Sequence, residues 1–410
     1  MNKLPDGWEI KKLKDIGNVY TGITPPTSDK ENFGNEHLFV TSADIKENKY
    51  IFNSIRKLSN KGFEKTKKFK KGDILYVCIG SIGKIALAKT DFSCNQQINV
   101  LRVNKEIDNE FIYYQLMNSF PYISKFISKR VVPIMNKTTF ENLEISLPSL
   151  DEQKRIASAL SKIDAYLENT IKLIEEKERF KRGIAKKLLT CKEGENIPEA
   201  RFKGFEDEWE IVKLGDIGTI TATGVDKKIN DNETPIKLLN YLDVFNRNKL
   251  YEKEISYMTT ATEKQLEKCN IRKGDLFITP SSEDKKGIAK SSVAMEDFKN
   301  TVYSYHIIRV RFNKEIDLKF KSYMCDTDFF HRQAYRLCDG SGQRYFIKLD
   351  NFRNMEICIP KSIKEQEKIG RYLSLLDKEI DNLKKQKELI KEMKRGAMQK
   401  LLSGEVRLLE

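Results

Sequence analysis

The chain has 410 residues, 39% hydrophobic and 33% charged, with 74 Lys+Arg against 60 Asp+Glu and a formal net charge of +14. That length suggests two or three domains, and the basic excess makes a polyanion the expected class of partner, a nucleic acid or an anionic membrane surface. The longest apolar run, residues 74–79, falls far short of the roughly 20 residues a membrane span requires.

The chain opens Leu4-Pro5-Asp6-Gly7-Trp8 with no apolar leader stretch, so a cytoplasmic protein is expected. Short β-like runs follow at 74–79 and 98–103, and a helix is predicted at 109–118 with Phe111, Tyr114 and Leu116 among its apolar residues. Pro148 punctuates the chain, and a long Pro-free helical segment follows. A short polar connection leads to Trp209, a further β-like run at 302–312, Pro360 and a second long helical segment. The seven cysteines are scattered and form no CxxC, which argues against a zinc site or a disulfide framework and for small core residues in a reducing compartment.

This layout is written twice. Trp8-Glu9-Ile10, Leu13 and Asp15-Ile16-Gly17 reappear as Trp209-Glu210-Ile211, Leu214 and Asp216-Ile217-Gly218. Lys71-Gly72-Asp73 reappears as Lys273-Gly274-Asp275, and Asn104-Lys105-Glu106-Ile107-Asp108 as Asn313-Lys314-Glu315-Ile316-Asp317. Glu152-Gln153 and Ile156 reappear as Glu365-Gln366 and Ile369. Ordered blocks whose offset drifts only from 201 to 213 are an internal repeat with a few loop insertions.

The helical segments carry a seam. Ile156, Leu160, Ile163, Leu167 and Ile174 recur at heptad spacing in the first, and Ile369, Leu373, Leu376, Ile380, Leu383 and Ile390 in the second. Ser149-x-x-Glu152 and Ser362-x-x-Glu365 have capping-box spacing. A helix of about 40 residues would span about 60 Å. The expected fold class is α+β: two similar mixed α/β domains separated by two long helices that pair as an antiparallel coiled coil, related by a pseudo-twofold repeat.

A basic chain with two similar domains on a helical spacer suits a double helix with two half-sites. The half-sites would be asymmetric because the domains differ, with an unread gap of roughly 5 to 8 base pairs. In the first domain the candidate contacts are Lys84 on a tight turn, Asn95-Gln96-Gln97 before a strand, and a basic patch of Lys129, Arg130 and Lys137. Asn and Gln can bond adenine N6 and N7 together. In the second they are Ser282, Lys285 and Lys286, then Tyr303, Tyr305 and His306, and then Arg336, Gln343 and Arg344. The Lys-rich run 61–71 reads as a solvated face or phosphate brush.

With these residues in place the chain resembles the specificity subunit of type I restriction-modification systems (the HsdS family). The carriers are Leu4-Pro5-Asp6-Gly7-Trp8, the central Ile197-Pro198-Glu199 with Arg201-Phe202 and Gly204-Phe205, Pro148 with Glu152-Gln153-Lys154-Arg155-Ile156, Pro360 with Glu365-Gln366, and the terminal Lys400-Leu401-Leu402-Ser403-Gly404-Glu405-Val406-Arg407. The resemblance implies target-recognition domains at 1–148 and 207–360, helical spacers at 149–191 and 361–410, and a linker at 192–206. It also implies double-stranded DNA, two methyltransferase subunits and two restriction subunits as partners. S-adenosylmethionine, ATP and magnesium would act on those partners, methylating adenine N6 or cleaving DNA, and this chain would hold no cofactor or metal.

No catalytic constellation contradicts that reading. Thr24-Pro25-Pro26-Thr27 lacks the amide or acid and the aromatic that hold a flipped adenine, and Gly83-Lys84 fails the phosphate-loop pattern at two positions. Three histidines leave little material for metal or triad chemistry, and Cys325, His331 and Cys338 read as core or loop residues. An enzyme with a degenerate site and a tethering scaffold are the alternatives.

Overall fold

The computed structural model describes residues 4–46, 48–127, 132–192, 195–342 and 344–408. It divides into two compact units, Met1–Lys172 with Lys384–Glu410, and Leu173–Leu383.

The first unit is built on a five-stranded sheet ordered Gly17–Thr21, Ile98–Val103, Ile74–Val77, Ile85–Ala88 and Tyr50–Ile51, antiparallel except for the last, parallel pair. A three-stranded sheet runs Arg56–Leu58, Phe33–Val40, Phe92–Cys94. A two-stranded ribbon joins Glu9–Lys12 to Glu144–Leu147. The second unit repeats every one of these pairings. Its five-stranded sheet is Gly218–Thr221, Ile308–Phe312, Leu276–Ile278, Ser291–Ala294 and Lys249–Leu250. Its three-stranded sheet is Met258–Ala261, Thr234–Leu239 and Thr301–Tyr303, and its ribbon joins Glu210–Lys213 to Glu356–Ile359. Among the described residues the second unit adds a small sheet of Ser281–Ser282, Arg344–Phe346 and Asp339–Ser341, where the first has the single bridge Ile79–Ile134.

The sequence reading places most elements correctly. The helix Asn109–Asn118 forms as expected, N-capped by Asp108, whose side chain accepts from Phe111 N. The run 302–312 is instead two strands. Ser304 Oγ accepts from His306 N at 3.3 Å, and this side-chain turn interrupts the ladder between Thr301–Tyr303 and Ile308–Phe312.

The two long helices are Leu150–Leu189 and Ile363–Leu402, and each is shared between the units. In the first unit Lys394 pairs with Asp164 at 2.6 Å, and Gln386 donates to Tyr166. In the second, Lys177 pairs with Glu379 at 2.7 Å and Lys181 with Asp377. In both, one index rises as the other falls, so the helices run antiparallel. Ile156, Leu160, Ile174, Ile369, Leu373, Leu376, Ile380 and Ile390 are buried, and Ile163, Leu167 and Leu383 are half-buried. The helix ends enter the domain cores. Ile156 and Leu160 pack with Trp8, Phe111, Met398 and Leu402, while Leu188 and Leu189 pack with Trp209, Phe320, Ile369 and Leu373.

The expected capping boxes do not close. Ser149 Oγ accepts from Glu152 N at 3.4 Å, but the Glu152 carboxylate turns to the Arg407 guanidinium, with bonds of 2.7 and 2.8 Å. Glu365 likewise receives Arg201 at 2.7 and 2.9 Å. A two-pronged charged pair outcompetes a single bond to a backbone amide. The neighbouring Gln153 accepts from Asp108 N and donates to Pro148 O, and Gln366 does the same with Asp317 N and Pro360 O. The Glu-Gln dipeptide therefore fastens each helix start to its own domain.

No helix among the described residues is long and apolar enough to cross a membrane.

Candidate nucleic-acid interface

The first candidate cluster stands at one end of the first unit's main sheet. Strands Ile74–Val77 and Ile85–Ala88 are joined by a turn in which Gly80 and Gly83 take φ of 78° and 93°. A Cβ on Gly83 would lie 2.1 Å from the Phe120 ring, so the turn passes close to its neighbour. The segment 132–136 lies against the same turn, through Gly80 N to Pro133 O at 3.0 Å and Met135 N to Cys78 O at 2.9 Å. Lys84 follows the turn, exposed, and its ammonium donates to Ser42 O at 3.2 Å.

Asn95, Gln96 and Gln97 form an adjacent turn. Asn95 Oδ1 accepts from Gln97 N at 3.2 Å, and Asn95 Nδ2 donates to Gln97 Oε1 at 3.0 Å. Ser42 Oγ donates to the same Oε1 at 3.1 Å, and Thr24 Oγ1 donates to Gln96 Oε1 at 2.6 Å. Lys84 and Asn95-Gln96-Gln97, separate in the sequence, are thus drawn together. Ser42 and Thr24 were missed, because a lone Ser or Thr after a strand has no pattern to mark it. Lys137 opens the helix Lys137–Glu141 and pairs with Glu141 at 3.3 Å. Lys129 and Arg130 lie outside the described residues.

The second unit puts Ser304-Tyr305-His306 at the same register. Ile74 faces Leu101 in one sheet and Leu276 faces Val310 in the other, which aligns Gln97 with His306. The Asn95-to-Gln97 turn and the Ser304-to-His306 turn are the same device. The Tyr305 and His306 rings lie 3.9 Å apart with 37° between their planes, and Tyr305 is half exposed. Burial first, then Lys227 and Arg344, lower the His306 pKa, and Asp226 opposes them. Tyr303 is a core residue at 0% exposure, its ring against Phe277 and its hydroxyl 3.2 Å from Thr221 Oγ1.

The extra sheet flanks this turn. Arg344 donates to Ser281 Oγ at 3.2 Å, Ser282 Oγ accepts from Asp284 N at 3.3 Å, and the Lys285 ammonium lies 5.7 Å from the Tyr345 ring centre. Gln343 and the Lys286 side chain lie outside the described residues. Arg336 stands apart on the helix Asp328–Leu337, lining a cleft of about 930 Å³ whose walls include Lys186, Lys192 and Arg332 but none of the turn residues. The Lys-rich run is largely paired: Lys61 with Glu31, Lys65 with Asp29, Lys68 with Glu64, and Lys70 with Asp91 at 2.7 Å.

Beneath each tip a shared frame holds the strands. Arg102 grips Asp73 with bonds of 2.9 and 2.6 Å, and Arg311 grips Asp275 with 2.8 and 2.6 Å. Lys49 donates to Glu110, Tyr114 and Ser161, and Tyr114 donates to Asp164. Lys249 donates to Tyr323, Ser374 and Asp377, and Tyr323 donates to Asp377. These lysines escaped the sequence reading. Their signal was Asn48-Lys49 recurring as Asn248-Lys249 beside β-like residues. Among the described residues no group of three His, Cys, Asp or Glu side chains is placed to hold a metal.

The family model for the type I restriction modification DNA specificity domain matches the chain twice, over residues 5–176 and 206–392. The type I restriction enzyme MjaVIII specificity subunit of Methanocaldococcus jannaschii is 24% identical over 410 residues, covering 99% of this chain and 94% of its own length. The MjaIX specificity subunit of the same organism is 26% identical over 426 residues, covering 100% and 96%. The crystal structure of a type I restriction-modification S subunit from M. genitalium has a TM-score of 0.57 at 18% identity, covering 98% of this chain and 97% of that one, a likeness of fold.

Proposed function

The chain belongs to the type I restriction modification DNA specificity domain family and carries that domain twice, and from this we propose that it is the non-catalytic subunit that chooses the DNA site for a type I restriction-modification complex. Residues 1–148 and 207–360 act as target-recognition domains, 149–191 and 361–410 as helical spacers, and 192–206 as the linker. Two methyltransferase subunits and two restriction subunits assemble with it in the cytoplasm. They carry S-adenosylmethionine, ATP and magnesium, methylating adenine or cleaving unmodified DNA.

The target is bipartite and asymmetric, with an unread gap of roughly 5 to 8 base pairs. The observation that carries this reading is one frame used twice with different residues at the same turn, Asn95-Gln96-Gln97 in one unit and Ser304-Tyr305-His306 in the other. Two readers on a common frame suit two unlike half-sites. Lys84, Lys129, Arg130 and Lys137 of the first domain, and Ser282, Lys285, Lys286, Gln343 and Arg344 of the second, contact phosphates or base edges, and Arg336 does so from its separate cleft. Tyr303 acts as the buried floor under Tyr305 and His306.

The test is long-read mapping of methyladenine in a methylation-free bacterial host expressing this chain with its methyltransferase subunit. The expected result is a new two-part motif, lost when this chain is omitted. No motif from a soluble, associated pair would overturn the reading. Four residues inserted in each long helix, about one turn, should lengthen the gap, and an unchanged gap would refute a helical ruler.

A further inference from the structure

The hydrogen bonds around Gln97 decide which face of its amide is free. A backbone N–H can only donate, so the atom of Asn95 that Gln97 N reaches is the acceptor Oδ1. The other arm of Asn95 is then the Nδ2 donor, and the Gln97 atom it meets at 3.0 Å must be Oε1. Ser42 Oγ adds a second donor to that oxygen at 3.1 Å. Both lone-pair positions of Oε1 are therefore engaged inside the turn. The backbone is held as well, with Gln97 O accepting from Cys78 N at 2.8 Å. Among the described residues none accepts from Gln97 Nε2, and the side chain is only half-buried. What Gln97 offers outward is its amide N–H pair alone. The Lys84 ammonium, bonded to the carbonyl of that same Ser42, adds further donors beside it.

A free glutamine amide reads adenine by giving one hydrogen bond and taking another, whereas guanine shows two acceptors, N7 and O6, in the major groove. We propose that Gln97 is a donor-only reader that selects guanine in the first domain's half-site, with Asn95 and Ser42 as the positioning residues that set its polarity. This rests on the DNA-reading role proposed above. It reverses the adenine preference that the residue types alone suggest.

The test uses the full chain in complex with its methyltransferase subunits, and duplexes carrying the mapped target at one fixed salt concentration. Each guanine and adenine of the target is replaced in turn by its 7-deaza analogue, which lacks N7. Wild type should bind about tenfold more weakly when one particular guanine is replaced, the scale of a good base contact. With Gln97→Ala that sensitivity should vanish at this guanine and persist at the purines of the other half-site, which shows that the variant is folded.

A second variant keeps shape and inverts polarity. Asn95→Asp still accepts from Gln97 N but no longer donates to Oε1, so the Gln97 N–H pair turns inward to the carboxylate and to the Ser42 hydroxyl, which rotates to accept, and Oε1 faces the DNA. Preference at that position should move from guanine to adenine or cytosine by at least tenfold. The proposal is overturned if the position that loses sensitivity in Gln97→Ala is an adenine, if no purine loses it, or if Asn95→Asp leaves guanine preferred. A wild-type complex with no sequence preference would instead sink the DNA-reading role itself, before any variant is made.

Discussion

At the base of the first unit Trp8 meets Phe111 edge-on with ring centres 6.4 Å apart, and at the base of the second Trp209 meets Phe320 at the same 6.4 Å. Arg407 bonds both Glu152 and Asp6 O, as Arg201 bonds both Glu365 and Asp207 O. At the tips this parity ends. One unit presents amides tied to each other, and the other presents a tyrosine against a histidine, flanked by a sheet that the described residues of the first unit match only in the Ile79–Ile134 bridge. The base contacts fix the domain on its helix starts, while the tips answer only to what they touch. A substitution at the base should therefore act alike in both units through stability, and one at a tip should act in one half-site through specificity.

The largest effect tests the parity of the base. Trp8 and Trp209 are 5% and 1% exposed, and replacing either by alanine removes a large buried ring. Each should cost about 3–5 kcal/mol in denaturant unfolding. A near-neutral Trp8→Ala beside a damaging Trp209→Ala would break the equivalence of the two frames.

The buried lysines sharpen the comparison, because their surroundings differ. Lys49 faces Glu110, whose repeat partner is Lys319, so the second unit lacks that acid. Burial opposes the charge on Glu110, but hydrogen bonds from Lys49, Ser161 and Tyr50 outweigh it and lower its pKa. Lys49→Met strips the counter-charge from a half-buried carboxylate and should cost about 1–3 kcal/mol. Lys249→Met leaves Asp377 bonded to Lys181 and Tyr323, and should cost less than about 1 kcal/mol. Equal losses would mean that Glu110 does not set the two networks apart.

Exchanging tips tests the other half of the argument. The triple change Asn95→Ser, Gln96→Tyr and Gln97→His gives the first unit the second unit's turn residues on its own frame. Because these side chains are exposed or half-buried, stability should move by no more than about 1 kcal/mol. One half of the methylated motif should change and the other stay, read by the same long-read mapping.

What was legible in the sequence follows the same division. The doubled frame could be read because its residues recur: Trp8 and Trp209, the Glu-Gln pairs, and the heptads from Ile156 and from Ile369. Their partners were another matter. Glu152 was assigned to a capping box because Ser149 is three residues away, whereas Arg407, which takes its carboxylate, is 255 residues away. Tyr303 was grouped with Tyr305 and His306 by adjacency, yet it ends a fully buried strand that holds its ring in the core, and the Ser304 turn that follows leaves Tyr305 half exposed. The tips recur in position but not in kind, so no periodicity marks Ser42 or Thr24.

The smallest effect is a pH dependence that belongs to one unit only. At the shared register the first unit holds Gln97, which does not titrate, and the second holds His306. Burial first, then the nearby Lys227 and Arg344, lower the His306 pKa below its ordinary value of 6.5, with Asp226 opposing. The folded state therefore binds this proton less readily than the unfolded state does. The neutral imidazole's contribution to stability is complete above about pH 6.5 and is lost as pH falls through that value toward the lowered one. Unfolding free energies from pH 7.5 to 5.5 should fall more steeply for wild type than for His306→Gln, which removes the titrating group while keeping a polar side chain at the turn. Parallel curves would show that neither burial nor the two positive neighbours bears on His306 in solution. Equivalent substitutions at Gln97 should leave the slope unchanged, because the frame beneath the two turns is common and only the turn residue differs.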